Sequence, residues 1–152
     1  MISFTVDGPA VPKQRPRIHG RMAYTPKKTR DYEERVRKSF CFSYYGLGIE
    51  YARCLGVIYS EGVPVRVQVE ITQQIPKSWS NSKTIKAERG EIVPTTRNGD
   101  LDNICKSILD ALNGYAYADD AQVTTLIASK KYGVCPFVTV SLEEDRRTDK
   151  RL

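Results

Sequence analysis

From Val63 to Ile75 apolar and polar residues alternate, with Val63, Val65, Val67, Val69, Ile71 and Ile75 on one side and Arg66, Gln68, Glu70, Thr72 and Gln74 on the other. A period of two over this length is a strand with one buried face. Such a strand needs neighbours in a sheet and an apolar cover, and two segments with helical period can supply the cover. In the first, Tyr32, Val36, Phe40 and Tyr44 recur every fourth residue behind Thr25-Pro26, a pair with the form of an N-cap followed by proline at the first helical position. That helix is expected to run to about Gly46. In the second, Leu101, Ile104, Cys105, Ile108 and Leu112 keep helical spacing until Asn113-Gly114 stops the pattern.

Shorter signals fill in the rest. Met1 to Val6 reads as a strand closed by Asp7-Gly8-Pro9, and Asn81 to Arg89 as a short helix ended by Gly90. Val123 to Tyr132 and Pro136 to Leu142 read as a hairpin joined near Gly133, and Trp79 as a cover for the core edge. Gly46 to Gly62 carries no decisive pattern; Leu55 to Tyr59 fits either a strand or a packed connection. A chain of 152 residues is long enough for a core of its own. The expectation is an α+β fold, one domain over residues 1–142 with a mixed sheet of four or five strands and two main helices, then a charged tail over residues 143–152.

The charge is unevenly placed. Lys13 to Lys38 holds ten Lys or Arg against three Asp or Glu, an excess larger than the +6 of the whole chain. An anionic polymer is the natural partner. Within this segment Pro12 to Arg21 is expected to be an extended basic loop, offering Lys13, Arg15, Arg17 and Arg21 to phosphates, with Lys27, Lys28 and Arg30 on the helix beside it. Cys41, Cys54, Cys105 and Cys135 form no Cys-x-x-Cys pair and have only His19 to join them, which argues against zinc and for buried free thiols in a reducing cytoplasm. No apolar run approaches the length of a membrane span and no signal peptide precedes the first strand, so no membrane association is expected.

Chemistry concentrates at Asp100-Leu101-Asp102-Asn103, a loop-to-helix junction with Lys106 four residues after Asp102, and at Asp119-Asp120 beyond the helix. Two readings compete. One Asp at a helix start is ordinarily a cap, and Asp102 with Lys106 would make a surface ion pair. The other is a metal site: hard carboxylate oxygens without histidine suit Mg²⁺ or Mn²⁺. About three helical turns, roughly 15 to 18 Å, separate the two acidic clusters, so Tyr115 to Ala118 must bring the chain back for them to meet.

At Asp100, Asp102, Asn103, Lys106, Asp110-Ala111-Leu112, Asp119-Asp120 and Gln122-Val123, and again at the Pro12 to Arg17 run and Tyr24-Thr25-Pro26, the sequence resembles the RusA family of Holliday junction resolvases. The resemblance implies a RusA-like domain in a bacterial or phage-encoded endonuclease that cuts four-way junction DNA as a homodimer. It implies that Asp100, Asp102 and Asp120 bind the catalytic metal, Mg²⁺ or Mn²⁺, with Lys106 also needed for cleavage. Asp119 is expected to support the metal site and Asp110 to pair with Lys106. Arg97, just ahead of the first motif, is a candidate phosphate contact. Leu47, Leu55, Val57, Ile58 and Tyr59 are candidates for the dimer interface, having no clear core role. Two other functions fit less of the chain: a branched-DNA binding protein without catalysis, and a nucleotide-sugar transferase, which would need a larger domain.

Overall fold

The computed structural model describes residues 1–95 and 99–146. In chain order its elements are β1 (Ile2–Asp7), β2 (Arg17–His19), β3 (Met22–Tyr24), α1 (Lys27–Tyr45), α2 (Ile49–Cys54), β4 (Val65–Gln74), α3 (Asn81–Glu88), α4 (Leu101–Leu112), a 3-10 turn (Asp120–Gln122), β5 (Val123–Gly133) and β6 (Phe137–Glu144). Four strands form one mixed sheet in the order β1-β6-β4-β5. The alternating strand β4 lies inside it, antiparallel to β6 and parallel to β5. Its Val65, Val67, Val69 and Ile71 are fully buried, as the alternation requires.

The expected hairpin is not formed. β5 and β6 are consecutive in sequence, yet β4 stands between them. Four Cα steps separate Gly133 from Phe137, and at about 3.5 Å each they reach farther than two strand spacings of about 4.8 Å. The connection therefore passes over the end of β4, where the Ile75 N–H donates to the Gly133 carbonyl at 3.0 Å. Gly133 lies so close to the sheet that a Cβ there would meet Thr72 Cγ2 at 2.5 Å.

Helices α1 and α4 bring Tyr32, Val36, Phe40, Ile104, Ile108 and Leu112 into the core with β4. Tyr44, the last of the α1 stripe, is 46% exposed, and Cys41 is buried beside Phe40 instead. Thr25 does not cap α1. Pro26 occupies the N-cap without a side-chain hydrogen bond, its carbonyl accepting from the Thr29 and Arg30 N–H groups at 3.1 Å. Gly46 closes the helix at φ 65°, a left-handed conformation that suits glycine.

The stretch without a pattern holds α2, followed by a packed connection in which the Tyr59 N–H donates to the Ala116 carbonyl at 2.9 Å. Leu47 and Leu55 are exposed, whereas Ile58 and Tyr59 pack against the core. β6 runs through Glu144, and Asp145 accepts from the Thr124 and Thr125 hydroxyls at 2.7 Å, so ordered structure extends past the expected start of the tail. Residues 147–152 of that tail lie outside the described residues. The expected basic loop contains the small antiparallel ribbon β2-β3. Trp79 packs edge-on against Tyr132, with Lys83 Nζ 3.9 Å from its ring centre. All four cysteines are free; Cys41 and Cys105 are buried, as expected, but Cys54 and Cys135 are exposed. Among the described residues no helix is long and apolar enough to cross a membrane.

Candidate active site

Asp100 is the N-cap of α4, and its carbonyl accepts the Ile104 N–H at 3.0 Å. Its side chain accepts no capping hydrogen bond, so the ordinary role of an Asp at a helix start is not taken. Asp102 and Lys106 are both exposed on the following turns, and among the described residues no ion pair joins them.

Beyond α4 the chain does turn back. Gly114, at φ 77°, donates to the Tyr117 carbonyl at 2.8 Å, and the fully buried Tyr117 gives its hydroxyl proton to the Leu109 carbonyl at 3.0 Å. The loop is thereby fastened to the last turns of α4, and the 3-10 turn is set against that helix. Asp119 caps the turn, accepting from the Ala121 N–H at 3.4 Å. Gln122 fixes the whole arrangement: its Oε1 accepts from the Ala118 and Asp119 N–H groups at 2.9 and 3.2 Å. Its Nε2 donates to the carbonyls of Ser60 at 2.8 Å and Val63 at 3.0 Å. The sequence signal was present in Asp119-x-x-Gln122, the spacing of a capping box.

Asp120 is the electrostatic centre of this corner. Partial burial, hydrogen bonding with the Asp119 carboxyl and the charges of Asp119 and Asp110 push its pKa above the usual carboxylate value, while Lys106 opposes them. Asp119, Asp110 and Lys106 thus all act electrostatically on Asp120.

Asp110 does not pair with Lys106. Its Oδ2 lies 2.8 Å from Lys13 Nζ, which also holds Glu33 at 2.5 Å. Burial pulls the Lys13 pKa down, but hydrogen bonds to Asp110 and Glu33 outweigh it and leave the amino group above its ordinary value. Lys13, expected to face phosphate, is thus occupied by two carboxylates, and nothing in the sequence pointed to Glu33. The Lys13 backbone N–H donates to the Asn103 carbonyl at 2.9 Å, and a Cβ on Gly99 would meet Pro12 Cγ at 2.6 Å. The basic segment is anchored directly against the first acidic motif.

Arg15, Arg17, Arg21, Lys27, Lys28 and Arg30 are exposed, and Lys27 lies 4.0 Å from Asp31. Arg97 lies outside the described residues. Among the described residues no three Asp, Glu, His or Cys side chains stand together as a ready metal cage. The donor chemistry nonetheless suits a hard divalent cation. Asp100 has no capping bond to give up, and Asp120 carries an unfavourable negative field that a cation would relieve.

The family model described as Endodeoxyribonuclease RusA matches residues 7–143, which include both acidic motifs, Lys106 and the basic segment. A protein of Bacillus subtilis (strain 168), called uncharacterized protein YqaN, is 37% identical over 152 residues, covering 94% of this chain and 96% of the relative. With a match of that extent placed on this α+β fold, the chain belongs to the RusA endodeoxyribonuclease family.

Proposed function

We propose that this protein is a divalent-metal-dependent endodeoxyribonuclease that resolves four-way DNA junctions by paired phosphodiester hydrolysis, in DNA recombination and repair. The observation that carries this reading is the family match across both acidic motifs. The turn that carries Asp120 back beside α4, held by the Gly114–Tyr117 and Tyr117–Leu109 hydrogen bonds, supports it from the side of geometry. Asp100, Asp102 and Asp120 would hold Mg²⁺, or Mn²⁺ in its place, with Asp119 fixing the turn that presents Asp120. When bound there, a divalent cation would supply an activated water and neutralise charge on the phosphoryl oxygens. Water attacks phosphorus, the P–O bond to the leaving sugar oxygen breaks, and a strand end with a phosphate and one with a hydroxyl result. Lys106 sets its ammonium against the same phosphate. Arg15, Arg17, Arg21, Lys28 and Arg30 bind the arms through phosphates.

Resolution needs two opposed nicks, and each chain carries one such corner. A two-fold homodimer in the cytoplasm is therefore the working unit. Sedimentation should give about twice the 17.2 kDa mass of the chain. A second reading is a branched-DNA binder without catalysis, for which the exposed cations Arg15, Arg17, Arg21, Lys28 and Arg30 suffice. Incubation with a labelled four-way junction and with linear duplex, each in Mg²⁺ or EDTA, separates the two. Cutting of the junction in Mg²⁺, abolished by EDTA and by Asp102→Asn while binding persists, supports the nuclease. Tight binding without cutting under every metal tested supports the binder.

A further inference from the structure

The ribbon β2-β3 is bare on both faces. All six of its residues are exposed, among them Ile18 at 78%, Met22 at 76% and Tyr24 at 47%. Its register pairs Arg17 with Tyr24, Ile18 with Ala23 and His19 with Met22, which puts Arg17, His19, Met22 and Tyr24 on one face and Ile18 with Ala23 on the other. The two-residue turn Gly20-Arg21 begins with glycine at φ 63°, a conformation suited to a tight hairpin. A ribbon this small is marginal by itself and leaves large apolar side chains in water, so it is built to meet something.

We infer that the ribbon is a wedge that enters the branch point of the DNA junction, with Ile18 and Met22 laid against base faces and the flanking arginines on phosphates. The inference rests on the function proposed above and adds residues that recognise branching. Charge selects the occupant. From Gln14 to Arg30 there is no Asp or Glu, while Arg15, Arg17, Arg21, Lys27, Lys28 and Arg30 all carry positive charge. A second copy of the same ribbon would be repelled, whereas a polyanion is drawn in. The ribbon's base is placed by the Lys13 N–H bond to the Asn103 carbonyl at 2.9 Å, beside the first acidic motif. A junction interrupts base stacking at the branch, where an apolar side chain separates bases at least cost.

The test uses the full chain in EDTA, with a four-way junction carrying 2-aminopurine at the branch and with linear duplex. Wild type should raise the 2-aminopurine fluorescence. Ile18→Ser with Met22→Ser should bind the junction about a hundredfold more weakly, roughly tenfold for each apolar side chain withdrawn from burial. The rise should be lost, with duplex affinity and salt dependence kept. Ile18→Leu with Met22→Leu should restore both junction signals. Equal weakening on junction and duplex, or an unchanged fluorescence rise in the serine variant, overturns the wedge. A serine variant that sediments as a smaller species than wild type makes the ribbon a subunit contact and overturns it as well. Metal-dependent cutting by a wild type that gives no fluorescence rise removes the wedge and leaves the nuclease. A fluorescence rise without cutting in Mg²⁺ or Mn²⁺ does the reverse.

Discussion

Lys13 Nζ stands 2.8 Å from Asp110 Oδ2 and also holds Glu33, joining the start of the basic segment to helices α1 and α4. The side chains are about one-fifth exposed, at 21% for Lys13 and 23% for Asp110, so they are less buried than a core pair. Lys13→Ala would leave two carboxylates facing each other. We expect a loss of about 1 to 2 kcal/mol in stability, below the 3 to 5 kcal/mol typical of breaking a fully buried pair. The salt dependence of DNA binding should stay as in wild type, because this cation is already neutralised. Denaturant melts and salt titrations check both; a slope reduced by about one unit would mean that Lys13 reaches a phosphate after all.

Asp120 titrates above the usual carboxylate value in the folded chain because of burial, Asp119 and Asp110. Its contribution to stability is therefore fully present below the unfolded-chain value and is lost as pH rises through the raised folded value. At neutral pH the ionised group destabilises the metal-free protein. Asp120→Asn should raise Tm at about pH 7 in EDTA, with the gain fading as pH falls and gone well below about pH 4, where the carboxyl is protonated in both states. The same variant should lose cutting and should gain less Tm from Mg²⁺ than wild type. A Tm difference constant across this pH range would disprove the electrostatic account.

Asp100 makes no side-chain capping bond, and Asp102 is exposed without an ion-pair partner among the described residues. Replacing either by Asn should change stability by less than about 0.5 kcal/mol. Cutting should fall by several orders of magnitude, as expected for removing a metal ligand, and junction affinity in EDTA should hold or improve. Full cutting by Asp100→Asn or Asp102→Asn would take that residue out of the metal site.

The exposed Arg15 and Arg17 differ from Lys13 in having no carboxylate partner among the described residues. Replacing both by Ala should weaken binding to junction and duplex alike and flatten the salt dependence by roughly one unit per lost phosphate contact. Cutting at saturating protein should persist. An unchanged slope would make them solvated surface.

What the sequence made legible follows from local physics. The face of β4 from Val65 to Ile71 is set by alternation, and α4 by apolar spacing between Asp100 and Asn113-Gly114, so both were readable there; the alternation fails at the end of β4, where Thr72 and Gln73 are buried as well. The neighbour of β4 was not, because pattern gives a strand its buried face and says nothing of which strand lies beside it; β5 and β6 looked like a hairpin until β4 separated them. The acidic motifs were visible as residue types. Their electrical partners were not: Asp110 meets Lys13 across most of the chain, through helix packing that no local spacing records. The bare ribbon was hidden for the opposite reason, since three-residue strands flanked by prolines carry too short a pattern to stand out from a loop.

Gln122 is the residue on which the acidic corner most depends without supplying a charge to it. Its amide bridges the Ser60 and Val63 carbonyls on one side to the Ala118 and Asp119 N–H groups on the other. Gln122→Ala removes donor and acceptor together, leaving those backbone groups to find water. With the site partly exposed, the loss in stability should be about 1 to 3 kcal/mol. The larger effect should be on the metal: the turn that presents Asp120 is no longer fixed, so the Mg²⁺ concentration for half-maximal cutting should rise while cutting at saturating Mg²⁺ recovers in part. Gln122→Glu keeps the acceptor but loses the donor and adds a negative charge beside Asp119, so it should destabilise more than Gln122→Ala in EDTA. A magnesium titration of cutting, read beside melts in EDTA, separates positioning from folding. If Gln122→Ala lowers cutting at every Mg²⁺ concentration by one constant factor, the bridge serves only the fold.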